Sequence, residues 1–266
     1  MKFRTMLLAS AAVMFASSAS AADITAKFFT PAQGGFLSDT TIQTSRTKMD
    51  TGLAETVKGK SLKASEKVTY GLTDEVAVYG VITNTFAYDK DQAYNNDHNF
   101  DYTVGVKYTT SHDKFLGQVA FDYNTYDPRS WYGKSGAGVS YETNRWAKAL
   151  NAEASLGYAL DCGLTPYTTF KINGTIDRAD RDQKYSWFAG AHKMFEKVSV
   201  DGGFRYDFGR EAGLDRFENW FVQAEANYFV KENITVGVFG DYYLGGKGHH
   251  DVDYGYTAGL NAKVLF

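Results

Sequence analysis

The sequence ends with DYGYTAGLNAKVLF, residues 253–266, and apolar or aromatic residues occupy every second position of this stretch. The positions between them hold mostly polar residues or glycine. A period of two is typical of a β-strand with one apolar and one polar face. The apolar face runs to the final residue and comprises Phe266, Val264, Ala262, Leu260, Ala258, Tyr256 and Tyr254.

The same alternation recurs along the chain in segments of about ten residues. The clearest repeats are 100–108, 150–160, 198–208, 220–230 and 233–244. Aromatic residues make up 16% of the chain and there are only 3 prolines, a composition that favours strands. The sequence therefore predicts an all-β protein. Alternation alone does not decide whether the apolar faces point inward, as in a soluble barrel, or outward to lipid.

The lengths of the connections distinguish these two environments, because short and long ones alternate strictly. The short connections are 72–75, 111–114, 161–164, 195–197 and 231–233, and the long ones are 89–97, 127–147, 175–182, 209–218 and 245–252. A transmembrane barrel has short turns on the periplasmic side and long loops outside. The pattern thus favours a transmembrane, antiparallel, up-and-down β-barrel.

Counting backward from a periplasmic Phe266 gives about 12 strands, with both ends of the barrel in the periplasm. The strands are predicted to start near residues 36, 61, 76, 98, 115, 149, 165, 184, 198, 218, 233 and 253. Two regions have a weaker pattern, the first strand (FLSDTTIQTSRTK) and the segment 127–147. In the latter, GAGVSY either extends the neighbouring strand or forms its own hairpin.

The aromatic residues collect at the predicted strand ends, as expected for side chains that anchor at the two membrane interfaces. Trp187 and Trp220 lie near the loop ends of their strands, and Trp131 and Trp146 lie in the loop 127–147. The opposite rim carries Tyr70, Tyr158, Tyr228 and Phe266. A soluble aromatic core does not explain this sorting.

The N-terminus reads MKFRTMLLASAAVMFASSASA, a basic start followed by a short apolar stretch and a small-residue cleavage pattern. We expect a signal peptide over 1–21, an N-terminal periplasmic segment over 22–35 and the barrel over 36–266. The mature chain would carry 26 basic and 31 acidic residues, a balance that gives no nucleic-acid footprint. Its one cysteine, Cys162, excludes an intramolecular disulfide.

The C-terminal strand resembles the last strand of Gram-negative outer-membrane β-barrel proteins, which usually closes on Phe. YGLTDEVAVYG, residues 70–80, looks like a strand, tight turn and strand of the same class. The resemblance implies a porin-like barrel in the bacterial outer membrane, surrounded by outer-membrane lipids. It also implies that Phe266 acts as an assembly signal for the barrel-assembly machinery. Oligosaccharide-specific porins of 12 strands are similar in size, but no motif places this chain among them.

Charged residues on the inward face are candidates for lining a pore, since a charge facing lipid at the midplane costs roughly 2–4 kcal/mol. Arg205 has Gly203 beside it, predicted to leave space, and Asp207, predicted to offer a partner. Mixed charge signs argue against strong selectivity for either ion sign. The predicted pore-lining residues are Lys107, Asp122, Glu153, Lys171, Asp201, Arg205, Glu225, Asp241 and Lys263.

No catalytic, metal or cofactor site is predicted. His249 and His250 precede Asp251 in a loop, but adjacent histidines in an exposed loop are usually only solvated. Ser186 and His192 share a strand face, yet six residues at strand rise separate them by about 20 Å. They therefore cannot form a nucleophile–base pair.

The hypothesis is a narrow, weakly selective, porin-like channel for small hydrophilic solutes, and not an enzyme. The alternative is a structural barrel that presents surface loops, adhesin-like, around a closed lumen. An outer-membrane hydrolase is the third candidate. The sequence leaves the solute, the openness of the lumen and the oligomeric state undetermined.

Overall fold

Within the residues that it describes, the computed structural model contains twelve β-strands. It describes residues 23–50, 56–87, 98–126, 147–176, 183–210, 216–247 and 251–266. The strands are β1 (Phe36–Asp50), β2 (Thr56–Gly71), β3 (Val76–Ala87), β4 (His98–His112), β5 (Phe115–Tyr126), β6 (Ala147–Tyr158), β7 (Leu164–Thr175), β8 (Gln183–Phe195), β9 (Val198–Arg210), β10 (Arg216–Lys231), β11 (Ile234–Lys247) and β12 (Asp251–Leu265). No helix among these residues is long and apolar enough to cross a membrane.

Each strand pairs antiparallel with its neighbours in the chain, and β1 pairs with β12 to close the barrel. The closing register places Leu37 opposite Leu265 and Ile42 opposite Leu260. The prediction of a closed, antiparallel, up-and-down barrel of 12 strands is confirmed. The weakly patterned first strand is β1, which bonds to β2 along its whole length.

The two faces of most strands differ as the alternation predicts. On β1 the outer face is also largely polar, since Ser38 and Thr40 lie there with Ile42 and bond to Glu66 of β2. Leu156 on the outside is 69% exposed, whereas its neighbour Ser155 on the inside is 2% exposed. On β12, Leu260 is 61% exposed and Asn261 is 6% exposed. Because large apolar side chains cover the outside and polar ones fill the inside, the barrel is built for an apolar surrounding.

Five tight connections lie at one end of the barrel, which we call the turn end. They are residues 72–75, 113–114, 159–163, 196–197 and 232–233. The opposite end, the loop end, carries the connections whose central residues lie outside the described ranges. The observed strand starts lie within five residues of the predicted ones. The alternatives for GAGVSY fall outside the described residues.

Aromatic rings form contacts at both ends on the outer surface. At the turn end, Phe36 packs on Tyr70 with ring centroids 4.6 Å apart, and Phe115 packs on Tyr158 at 5.0 Å. Towards the loop end, Tyr206 stacks on Trp220 at 4.4 Å. These positions agree with the predicted aromatic rims, although Trp131 and Trp146 lie outside the described residues.

Residues 23–33, which we call the N-terminal segment, lie inside the barrel at the turn end. Ile24 is 3% exposed and packs against inward-facing apolar residues of four strands. These are Leu37 of β1, Met194 of β8, Phe229 of β10 and Leu265 of β12. The turn end of the lumen therefore has a small apolar core, unlike the polar interior above it.

Candidate functional site in the barrel lumen

The nine predicted pore-lining residues all occupy inward positions of the strands, and each has a partner inside the barrel. Glu153 of β6 is the centre of one group. Its carboxylate pairs with Lys27 of the N-terminal segment and, at 2.9 Å, with the Lys171 ammonium of β7. Gln118 donates a further hydrogen bond to it at 3.0 Å. One carboxylate thus holds two cations from different parts of the chain.

Arg205 of β9 is the centre of a second group. Its guanidinium lies 3.2 Å from an Asp207 oxygen and 3.3 Å from an Asp241 oxygen on β11. It also lies over the ring of Phe221, 4.2 Å from the ring centroid. Asp207 is the partner that the sequence predicted. The space predicted beside Gly203 is absent, because the Phe188 ring lies 2.8 Å from where a β-carbon at Gly203 would sit.

Glu225 of β10 and Lys263 of β12 form a third group. The Lys263 ammonium lies 3.0 Å from the Glu225 carboxylate, which also accepts hydrogen bonds from Asn227 and Asn261 at 2.9 Å. These four residues sit on the inner wall of two strands that are separated by β11. Their bonds therefore reach across one strand.

Two more aspartates accept hydrogen bonds from tyrosines. Asp122 of β5 accepts from the Tyr79 hydroxyl at 2.9 Å and from Asn151 at 2.5 Å. Asp201 of β9 accepts from the Tyr167 hydroxyl at 2.8 and 2.9 Å. Both carboxyl groups are thus fixed on the inner wall by hydrogen bonds from other strands.

A cavity of about 620 Å³ lies among these groups. Its lining includes charges of both signs and aromatic rings, among them Lys27, Tyr167, Lys171, Arg205, Glu225 and Asp241. A larger concavity of about 980 Å³ is lined mainly by outward-facing apolar residues such as Val78, Val104 and Leu150, and belongs to the outer surface. The lumen cavity is the one with polar chemistry.

Lys107 of β4 differs from the other predicted residues because its partner is a backbone carbonyl. Its ammonium donates to the carbonyl oxygen of Phe29 at 2.6 Å. Next to this bond, the hydroxyls of Thr30 and Thr109 are hydrogen-bonded to each other. Through these contacts β4 holds the N-terminal segment inside the lumen.

The opposite end of the N-terminal segment binds β8 and β9. Asp23 lies 2.6 Å from His192 Nε2, and Thr25 donates to Ser199 at 2.7 Å. Burial by itself raises the pKa of the Asp23 carboxyl, but the hydrogen bonds from His192 and Thr25 outweigh it and hold that pKa below its ordinary value. Asp23 is therefore a carboxylate at neutral pH.

The expected periplasmic location of residues 22–35 remains a prediction, but sequence reasoning missed that residues 23–33 lie in the lumen. One signal was available. The inner positions nearest the turn end hold the apolar residues Leu37, Met194, Phe229 and Leu265. An apolar residue at the inner end of a strand indicates something to pack against.

Ser186 and His192, which share the inner face of β8, bond to different carboxylates. Ser186 donates to Asp207, whereas His192 contacts Asp23 and Asp201. Within the described ranges, His, Cys, Asp and Glu form no group of three or more suited to a metal ion. His249 and His250 lie outside the described residues.

No protein-family model matches the sequence, and no curated protein matches it. Solved structures do. An outer membrane channel from Pseudomonas putida F1 has a TM-score of 0.67 at 14% identity, covering 90% of this chain and 98% of the channel. The NanC porin has a TM-score of 0.53 at 10% identity, covering 84% and 98%. The translocator domain of the autotransporter NalP from Neisseria meningitidis has 0.52 at 8% identity, covering 88% and 89%.

At these identities the likeness concerns the fold alone. The chain has the closed barrel fold of bacterial outer-membrane proteins. Within this set the fold occurs in a channel, a porin and the translocator domain of an autotransporter.

Proposed function

We propose that this protein is a bacterial outer-membrane channel through which small hydrophilic solutes diffuse. The observation that carries the proposal is the cavity of about 620 Å³, lined by charged side chains and enclosed by a barrel with an apolar outside. Hydrated charges along a path lower the cost of moving a polar solute through it. Structures of similar fold include a channel and a porin, which adds support.

The width of the barrel agrees with a narrow path. Barrels of eight strands are filled by side chains, whereas barrels of 16–18 strands leave an open aqueous channel. Twelve strands lie between these limits. We therefore propose passage of small solutes only.

The charges of the proposed pore support weak ion selectivity. The nine proposed residues comprise four cations, Lys107, Lys171, Arg205 and Lys263, and five carboxylates. Most of them are paired with an opposite charge, so the field along the path is small. A solute of either sign meets compensating groups.

Phe266 is proposed as the assembly signal that the barrel-assembly machinery reads. Its backbone N–H donates to the Phe36 carbonyl at 2.8 Å, so it belongs to the seam where β1 meets β12. Phe266 thus lies at the turn end of the seam that closes the barrel.

A second candidate function is a structural barrel that presents surface loops around a closed lumen. One observation favours it, the N-terminal segment inside the turn end. If this segment never leaves, the lumen stays closed at the turn end, and the charged residues inside it stabilise the folded barrel.

Single-channel recording in planar bilayers separates the two candidates. Folded protein, identified by its heat-modifiable migration in gels, is expected to give discrete conductance steps. A heat-denatured sample of the same preparation is the control and should give none. If folded protein gives no conductance steps in repeated insertions, the channel proposal is wrong and the closed barrel is favoured.

A further inference from the structure

We propose that the N-terminal segment is a gate, which closes the turn end of the lumen when docked and opens it when displaced. This inference rests on the proposed channel function and adds a closing device to it.

The N-terminal segment spans the full diameter of the barrel. At one end, the Gln33 N–H donates to Asp74 in the β2–β3 turn at 3.1 Å. At the other end, Asp23 binds His192 of β8. In a closed ring of twelve strands, β2 and β8 are six places apart and therefore opposite each other. A solute that enters or leaves at the turn end must pass this crossing chain.

The N-terminal segment is held by side chains and not by the strand ladder. Its own backbone bonds join Ala26 to Asp23 and Phe29 to Ala26, both at 3.1 Å. Among the described residues, no backbone–backbone hydrogen bond links residues 23–33 to a strand. The ladder of β1 begins at Phe36. The segment can therefore leave the lumen without breaking the barrel wall.

The docking contacts are of a kind that water can replace. They include the ion pair of Lys27 with Glu153, the hydrogen bond of Thr25 to Ser199 and the bond from Lys107 to the Phe29 carbonyl. Water can replace a hydrogen bond of this kind when it breaks, so a neutral one contributes modestly to docking and a charged one contributes more. Ile24 adds an apolar contact that favours the docked state. Phe29 in the same apolar cluster and Phe28, edge-on to Tyr167, add to these contacts, and the proposed opening requires that they break.

Gly34 and Gly35 connect the segment to β1. This junction is anchored to β2, because the Gly34 N–H donates to the Gly71 carbonyl at 2.9 Å and the Gly71 N–H donates to the Gly35 carbonyl at 3.0 Å. Gly34 has a φ of +80°, and no heavy atom lies within 4 Å of where its β-carbon would be. Glycine adopts this left-handed conformation readily, so the chain can turn from the lumen into β1 at this point. The proposed opening therefore moves residues 23–33 while the junction and β1 stay in place.

The inner wall opposite Phe28 offers a precise way to displace the segment. A β-carbon added at Gly157 of β6 would lie 2.6 and 2.8 Å from the Phe28 ring. That is too close for real atoms, so Gly157→Ala must push Phe28 away. Gly117 is paired with Leu156 next to it and faces outward, where a β-carbon meets Thr110 at 3.2 Å. Gly117→Ala is thus a matched control on the lipid side.

The first test locks the segment with a disulfide. The Thr25 and Ser199 hydroxyl oxygens are 2.7 Å apart, so Thr25→Cys with Ser199→Cys places two thiols in bonding reach. Cys162 is exposed and is replaced by serine in this background. The oxidised protein is expected to have a roughly tenfold lower open probability than the same protein after reduction.

A cross-link within the wall is the control. Ser45 and Ser61 face each other across β1 and β2 with their hydroxyl oxygens 2.5 Å apart. Oxidation and reduction of Ser45→Cys with Ser61→Cys should leave the open probability unchanged. Equal conduction of the oxidised and reduced Thr25/Ser199 variant, once its disulfide has been verified, would overturn the gate while leaving the channel intact.

The second test follows the segment itself and does not depend on conduction. Thr25→Cys, again with Cys162 replaced by serine, is labelled with a membrane-impermeant maleimide in folded, detergent-solubilised barrels. Adding Gly157→Ala is expected to raise the labelling rate roughly tenfold, whereas Gly117→Ala should not change it. Equal rates in all three proteins would show a fixed segment and reject the gate. A raised rate in barrels that never conduct would support release of the segment and reject the channel instead.

Discussion

Inside the barrel, single charged residues are stabilised by partners that come from other strands. Arg205 illustrates this, because its guanidinium bridges Asp207 on its own strand and Asp241 two strands away. The sequence predicted Asp207, since two residues on one strand share a face. Asp241 could not be predicted, because its position beside Arg205 depends on the register of β9, β10 and β11. The alternation along one strand therefore predicts which face a charged residue occupies. The register between strands determines which residue of another strand it contacts.

Reversing the charge of Arg205 tests the pore at this scale. Arg205→Glu would place a new carboxylate beside those of Asp207 and Asp241. Because three negative charges would then line a narrow pore, the pore should prefer cations more strongly. We expect the reversal potential in a salt gradient to shift toward that of cations, with the barrel still folded. Arg210→Glu, at the exposed loop end of the same strand, is the control and should have a smaller effect. An unchanged reversal potential would place the conducting path away from Arg205.

At the scale of one strand, the alternation of faces decides what a substitution costs. Val222 points outward on β10, whereas its neighbour Gln223 lines the lumen cavity. Val222→Arg would place a charge in lipid and should reduce the free energy of unfolding by roughly 2–4 kcal/mol. Gln223→Arg should cost far less, because the lumen can hydrate it. Urea unfolding in detergent micelles measures both, and equal losses would contradict the assigned faces.

The last strand combines a lipid-facing stripe with the seam of the barrel. Deleting Phe266 removes a ring from that stripe and the backbone bonds to Phe36. Changing Lys263 to Gln removes only one charge from the pair with Glu225. We expect the deletion to lower the yield of heat-modifiable, membrane-inserted barrel several-fold more than Lys263→Gln. Equal yields would mean that Phe266 is not the assembly signal.

For the whole molecule, the barrel could be predicted from sequence. The apolar residues at the inner strand ends indicate that something packs there, but not that it is the N-terminal segment. Each strand repeats a local pattern of period two, so strand number, faces and turn lengths are all visible along the chain. Ile24 instead packs against residues of β1, β8, β10 and β12. These residues are far apart in the sequence, so no local pattern shows that they lie together. A segment without periodicity reveals its place only through contacts in three dimensions.

The orientation of the barrel in the membrane is the prediction at this largest scale. Short turns face the periplasm in barrels of this class, so the turn end and the N-terminal segment should face inward. An epitope inserted after Gly246, near the loop end of β11, should be labelled on intact cells. An epitope after Asp180, which lies outside the described residues, should be labelled as well.

An epitope inserted after Glu232, in the turn between β10 and β11, supplies the opposite case. It should be labelled only after the outer membrane is permeabilised, because it lies at the same end as the N-terminal segment. Both insertions flank β11, so one strand crossing separates an accessible site from a protected one. Labelling after Glu232 on unbroken cells would show that the barrel has the opposite orientation in the membrane. The N-terminal segment would then guard the outside entrance of the lumen, and solutes arriving from the medium would meet it first.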